Sequence, residues 1–168
     1  MKLTHPQSTN KIYLYYLIRK GLHMKKLMLV GPIGCGKTTL TQRLTGVDLT
    51  YVKTQALEFH DSIIDTPGEF VQHRLMYNAL LVTSSDADII GFLLPATEKE
   101  QIYSPGFTSL FNKPVIGIIT KIDLLAHEDD YIYAEEQLRM AGAHKIFRIS
   151  AVENIGIDKL QTYLDELP

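Results

Sequence analysis

A chain of 168 residues, 45% hydrophobic and 21% charged, has the apolar material for one packed domain and too little charge for a disordered one. With a formal charge of -2 it shows no basic stripe of the kind that holds nucleic acid. Its single cysteine excludes an internal disulfide and fits a reducing cytosol.

The first 23 residues read differently from the rest. In KIYLYYLIRK the apolar run from Ile12 to Ile18 is too short to cross a bilayer. Arg19 and Lys20 stand where a signal peptide needs a small-residue cleavage site. Met24 directly precedes KKLMLVGPIG, and Arg19-Lys20-Gly21 can be encoded by a purine run resembling a ribosome-binding site. Residues 1–23 are therefore expected to be an upstream mis-start or a non-core extension, with a short docking helix as the rival, and 24–168 to be the domain.

From Lys25 the chain alternates apolar runs with helical periodicity. LMLVG (27–31) reads as a buried strand ending in glycine. Residues 36–46 carry Leu40 and Leu44 at i, i+4 and stop at Gly46, as a helix does. A polar stretch over 47–54 leads into two short strands, ALEFH and SIIDT. Residues 71–84 have helical spacing, with Val71, Leu75, Ala79 and Val82 on one face. DIIGFLL (88–94) and PVIGIIT (114–120) are near-continuous apolar runs, as strands covered on both faces are. Between them, 95–113 holds Pro95, Pro105 and Gly106 and reads mostly as loop. Its Tyr and Phe residues around 103–111 either pack that loop or form a partner surface. A helix is predicted over 128–141, with Ala134, Leu138 and Ala141 in register and Gly142 as its stop. The strand KIFRIS follows, then a last helix through Ile157, Leu160, Leu164 and Leu167. This alternation specifies one α/β domain: a mostly parallel six-stranded sheet with one antiparallel edge strand and helices on both faces. Ligands of such sheets bind outside the carboxyl ends of the strands, where every motif below falls.

GPIGCGKT fits G-x-x-x-x-G-K-[ST] at Gly31, Gly36, Lys37 and Thr38, between a predicted strand and a predicted helix. Glycines let successive N–H groups turn inward around an anion, and the helix N-terminus adds favourable potential. Gly31, Pro32, Ile33, Gly34, Cys35 and Gly36, with Thr39 behind them, are thus the candidate phosphate cradle. Lys37 would reach the outer phosphates and the Thr38 hydroxyl would ligate Mg2+. DTPG, Asp65 to Gly68, ends a strand, where an acid can hold Mg2+ through water and the Gly68 N–H can sense a terminal phosphate. Taken alone, those four residues are also good turn chemistry. In TKID (120–123), Asp123 can accept from the two N–H groups on guanine's Watson–Crick edge. Adenine lacks that donor pair, so the wrong base leaves the acid unmatched. The Lys121 stem can lie along the base, and Ser150 and Ala151 can offer N–H to guanine O6. GTP or GDP with Mg2+ are the expected cofactors.

In this order the four motifs resemble the Ras-like P-loop GTPases, over nearly everything from Met24 on. That resemblance implies a P-loop NTPase fold and a threonine that helps hold Mg2+, for which Thr54 is the best candidate and Thr50 the rival. Where the family has asparagine this chain has Thr120, whose hydroxyl can keep a tie to the P-loop. YVKTQALEFHDSIIDTPGEF, YNALLVTSSDADII and SPGFTSLFNKPVIGIITKIDL are similar, more narrowly, to the ethanolamine- and propanediol-utilisation GTPase-like proteins. This second resemblance implies a cytoplasmic nucleotide-binding protein linked to bacterial microcompartments, with shell or lumen proteins as partners, no nucleic acid and no membrane span.

Slow hydrolysis is expected. Glu69 stands where many GTPases place a glutamine that orients water, and a carboxylate beside a triphosphate is repelled. Ile33 is bulky enough to crowd a water or an incoming arginine, and Gly34 replaces the P-loop asparagine linked to potassium activation in some relatives. Lys37, Thr54, Gly68 and Glu69 would carry whatever turnover there is. Arg43 and Arg74 read as surface charge rather than internal arginine fingers. Cys35 reads as a small packing residue rather than a redox sensor, and the six histidines lack metal-ligand spacing. Two rival functions remain. A phosphotransferase acting on a small acid such as acetate would want an arginine-bearing lid, and 95–113 offers only Lys99 and Lys113. A non-catalytic nucleotide-dependent scaffold would suit Ile33 and Glu69.

Overall fold

The computed structural model of the chain describes residues 25–46, 49, 57–60 and 62–167. Residues 1–23, the start at Met24, and Thr54 with its rival Thr50 lie outside the described residues. Three apolar runs of the described residues become strands: β1 (Leu27–Val30), β4 (Ile89–Pro95) and β5 (Val115–Thr120), buried throughout except for half-buried Pro95. With β2 (Glu58–His60), β3 (Ile63–Asp65) and β6 (Ile146–Arg148) they make one sheet of order β2-β3-β1-β4-β5-β6. Five strands run parallel, and β2 lies antiparallel against β3 at the edge.

Alternation along each strand sends neighbours to opposite faces. Met28, Val30, Ile90, Phe92 and Leu94 pack under Leu80, Ala134 and Leu138, which belong to α3 (Tyr77–Ser84) and α4 (Ile132–Ala141). Leu27, Leu29, Ile89, Leu93 and Ile118 pack under Leu40, Ile157 and Leu160, from α1 (Lys37–Thr45) and α5 (Ile157–Asp165). Because the five strands share one direction, Val30, Asp65, Thr120 and Arg148 all end at the same side of the sheet. That side therefore collects the P-loop, the DTPG turn, the TKID turn and the loop from Ser150.

Three elements differ from the sequence expectation. The helix expected over 71–84 is broken. A short α2 (Glu69–Gln72) ends at His73, whose extended φ of -122 resets the helical phase before a 3-10 turn at Arg74–Met76 and then α3. The reset turns Leu80 inward and sets Tyr77 edge-on to Phe107 at 5.2 Å, leaving Leu75 94% and Val82 74% exposed. Tertiary packing here overrides periodicity. The helix expected over 128–141 begins at Ile132, preceded by a 3-10 turn at Glu128–Tyr131. Asp130 accepts the His127 N–H at 3.1 Å, a local bond of the kind that competes with a regular first turn. The last strand is confined to Ile146–Arg148, because Ser150 pairs with Ile155 across its own loop instead.

Candidate functional site

The P-loop runs from the end of β1 to the first turn of α1. Gly34 and Gly36 have φ of 75 and 97, left-handed values that glycine adopts without strain. A side chain at Gly34 would meet nothing within 4 Å, so the loop is open on that side. The Lys37 ammonium is buried and donates to the Gly31 carbonyl at 2.8 Å and the Pro32 carbonyl at 3.0 Å. Cys35 is also buried. Burial pushes its thiol pKa up, even though the Lys37 ammonium 3.6 Å away pulls it down, which fits a packing residue.

Beside the P-loop, the Thr38 hydroxyl donates to the Asp65 carboxylate at 2.9 Å. Asp65 is fully buried at the end of β3, and Thr66 next to it donates to the Leu29 carbonyl at 2.7 Å. A hydroxyl and a carboxylate held this close form a hard oxygen pair of the type Mg2+ prefers, so the donor set fits that ion. Gly68 presses against the P-loop: an added Cβ would lie 2.4 Å from the Ile33 nitrogen. Ile33, 44% exposed, therefore stands beside Gly68, which the half-buried Glu69 follows in the chain.

On the other side of the P-loop, Thr120 ends β5 and donates its hydroxyl to the Cys35 carbonyl at 2.6 Å. The hydroxyl thus makes the tie to the P-loop anticipated for it. Lys121 adopts φ 58 and turns the chain into a 3-10 turn, Ile122–Leu124, with Asp123 exposed. The Ile122 N–H donates to the Ile149 carbonyl at 3.3 Å, joining this turn to the loop after β6. That loop closes on itself: Ser150 and Ile155 exchange backbone bonds of 3.0 and 2.9 Å, and the Ser150 hydroxyl accepts the Glu153 N–H at 3.1 Å. The Ser150 N–H, expected to face a base, is thus committed to the Ile155 carbonyl.

Three residues that sequence reasoning missed hold this arrangement. Arg43, expected to be surface charge on its helix, donates to the Ala151 carbonyl at 2.6 Å and the Val152 carbonyl at 2.9 Å. Its partners lie 108 and 109 positions away, so no local pattern could show them. Tyr103, fully buried, donates its hydroxyl between the carbonyls of Val30, at 2.8 Å, and Leu93, at 3.1 Å, directly beneath the P-loop. Gln137, 1% exposed on α4, accepts the N–H groups of Ile102 at 2.6 Å and Tyr103 at 2.8 Å and donates to the Glu100 carbonyl at 2.9 Å. A glutamine on the stripe of Ala134, Leu138 and Ala141 was the one signal available. With Tyr103, Phe107 and Phe111 all buried in the core, the aromatic residues of 95–113 pack the loop. A cavity of about 630 Å³ lies elsewhere, lined by Arg139, Lys145, Arg148, Lys159 and Tyr163 among others, and no motif residue reaches it.

Fold and site together define a P-loop nucleoside-triphosphatase domain: strand, glycine-rich loop, helix and a neighbouring buried acid at the carboxyl edge of a parallel sheet. The family model described as ethanolamine utilisation and propanediol utilisation, PduV-EutP, matches residues 24–166, and the chain belongs to that family. The propanediol utilization protein PduV of Citrobacter freundii is 46% identical over 84% of this chain and 94% of its own length. The probable acetate kinase EutP of Salmonella typhimurium is 34% identical over 86% and 91%. Era, solved with MgGDPNP and nucleotides 1506–1542 of 16S ribosomal RNA, superposes with a TM-score of 0.60 at 26% identity, covering 87% of this chain and 58% of Era. No helix among the described residues is long and apolar enough to cross a membrane.

Proposed function

We propose that the chain is a Mg2+-dependent GTP-binding protein with slow GTP hydrolysis, serving ethanolamine or propanediol utilisation in the cytoplasm or at a microcompartment. One observation carries the reading. The P-loop, the Thr38–Asp65 pair, the Thr120–Asp123 turn and the Ser150–Ala151 loop meet at one edge of the sheet and are bonded to one another. The relative solved with MgGDPNP supports the choice of ligand.

In that reading the backbone from Gly31 to Gly36 and the Lys37 ammonium hold the phosphates, and Thr38 and Asp65 hold Mg2+, joined by Thr54 if it fills the family role. The bound ion would neutralise charge building on the terminal phosphate. Gly68 would report that phosphate, because it already abuts the P-loop at Ile33. Asp123, Lys121 and the Ala151 N–H would read guanine. Ionised Glu69 can only accept hydrogen bonds, so it cannot donate to an oxygen of the transferring phosphoryl group as a glutamine amide can. Ile33, packed against Gly68, sets an apolar side chain at the P-loop. Both slow turnover.

A second reading, phosphoryl transfer to a small carboxylic acid, is favoured by the relative described as a probable acetate kinase. Against it, the 95–113 segment contains no arginine and is fastened by Tyr103 and Gln137, so it is not built to swing as a cationic lid. The test incubates the purified chain with GTP or ATP, with and without acetate, and measures phosphate release and hydroxylamine-trapped acyl phosphate. GTP-specific phosphate release at a low rate is expected. Acyl phosphate would establish the second reading, and nucleotide binding without turnover would establish a scaffold.

A further inference from the structure

Arg43 stands on the helix that follows the phosphate loop, yet its guanidinium reaches across to the loop after the last strand. Its Nε and Nη2 donate to the successive carbonyls of Ala151 and Val152 at 2.6 and 2.9 Å. A planar fork on two adjacent carbonyls fixes both the direction and the rotation of the segment it holds, which a lysine point charge cannot do. The held loop keeps its own shape by other means. Ser150 and Ile155 pair across it, the Ser150 hydroxyl accepts the Glu153 N–H, and Asn154 takes a left-handed φ of 57. Its internal fold is thus independent of Arg43, whereas its position against α1 is not.

We infer that Arg43 is a specificity-positioning residue, which sets the Ala151 N–H at a fixed distance and angle from the phosphate cradle and so selects the purine base. The inference rests on the guanine reading above. Two ties then link the phosphate-binding and base-reading halves. Thr120 joins the TKID turn to the Cys35 carbonyl, and Arg43 joins the Ser150 loop to α1. Each fixes one edge of the base site. Without Arg43 the phosphate contacts stay intact, because Lys37 is held by Gly31 and Pro32. The loss should therefore appear in base selection rather than in overall nucleotide binding.

The experiment compares the full chain with Arg43→Met, which keeps the aliphatic stem, and with Arg43→Lys, which keeps the charge. Fluorescent GDP and ADP analogues are titrated against each, and thermal melts are recorded. In both variants GDP affinity should fall by up to about tenfold, the upper end for one lost neutral hydrogen bond, with ADP affinity changed less than about twofold. Melting should stay close to wild type. Parallel loss of GDP and ADP binding, or an unchanged GDP-to-ADP ratio in the folded Arg43→Lys chain, overturns the inference alone. A wild-type chain that binds both analogues equally overturns the guanine reading, and the inference with it.

Discussion

Replacing Tyr103 with phenylalanine removes one oxygen and leaves the ring where it is. That ring lies stacked on Phe92, with centroids 4.7 Å apart and planes 8° from parallel, and also contacts Phe107 at 5.6 Å. The hydroxyl is a dedicated donor, since burial pushes its pKa well above the ordinary phenol value and keeps the proton on. It serves the carbonyls of Val30 and Leu93, where Pro32 brings no N–H to continue the ladder beyond β1. Tyr103→Phe thus removes the one buried proton that these two carbonyls share, at a cost of about 1–3 kcal/mol. For a domain of this size each kcal/mol lowers the melting temperature by roughly 2–4 °C. Urea denaturation followed by circular dichroism, with Tyr103→Ala alongside, separates hydroxyl from ring, because Ala also forfeits packing and should cost about 3–5 kcal/mol. A Tyr103→Phe chain within about 0.5 kcal/mol of wild type, the scatter of surface substitutions, would refute the claim that this bond anchors the P-loop.

Asp123→Asn should weaken GTP and favour xanthine nucleotides, which present a carbonyl where guanine has an amino group. Competition titration with both nucleotides checks this, and an unchanged preference removes Asp123 from the base site. Thr120→Val keeps the shape and deletes the 2.6 Å bond to the Cys35 carbonyl, so stability should fall by about 1–2 kcal/mol and nucleotide affinity with it. Denaturation and equilibrium dialysis read the two effects, and full affinity in the variant would show that the tie is structural only. Burial works to raise the Glu135 pKa, but hydrogen bonds from Arg139 and Arg148 outweigh it and hold the carboxyl below its ordinary 4.5. Its folded value lies below its unfolded one, so the carboxylate stabilises the fold above that ordinary value, and the gain disappears as pH falls through the folded value. Thermal melts of wild type and Glu135→Gln should therefore differ most near neutral pH and converge in acid. A gap that persists at about pH 3 would show another cause.

Much of this protein was legible because its signals are local. A parallel strand must be apolar on both faces, so DIIGFLL and PVIGIIT identify themselves, and a phosphate cradle needs glycines at fixed spacing before a helix. Those residues carry their structural instructions within about ten positions of themselves. The same holds for Asp65, whose place at a strand end follows from the apolar pair Ile63 and Ile64 before it. The helix over 71–84 was misread because its phase is set by distant neighbours. Tyr77 meets Phe107 and Leu80 meets the sheet, and the backbone breaks at His73 to allow both. The hydrogen-bond partners of Arg43, Tyr103 and Gln137 were hidden for the same reason. A single polar side chain has no periodicity, and what it does depends on which carbonyls or amides the fold brings to it. The sequence by itself determined the sheet's central strands, the phosphate loop and the order of the motifs. Only the tertiary structure decided how the phosphate and base halves are fastened together, because hydrogen bonds between residues 85 to 109 positions apart exist only once the strands have been laid side by side.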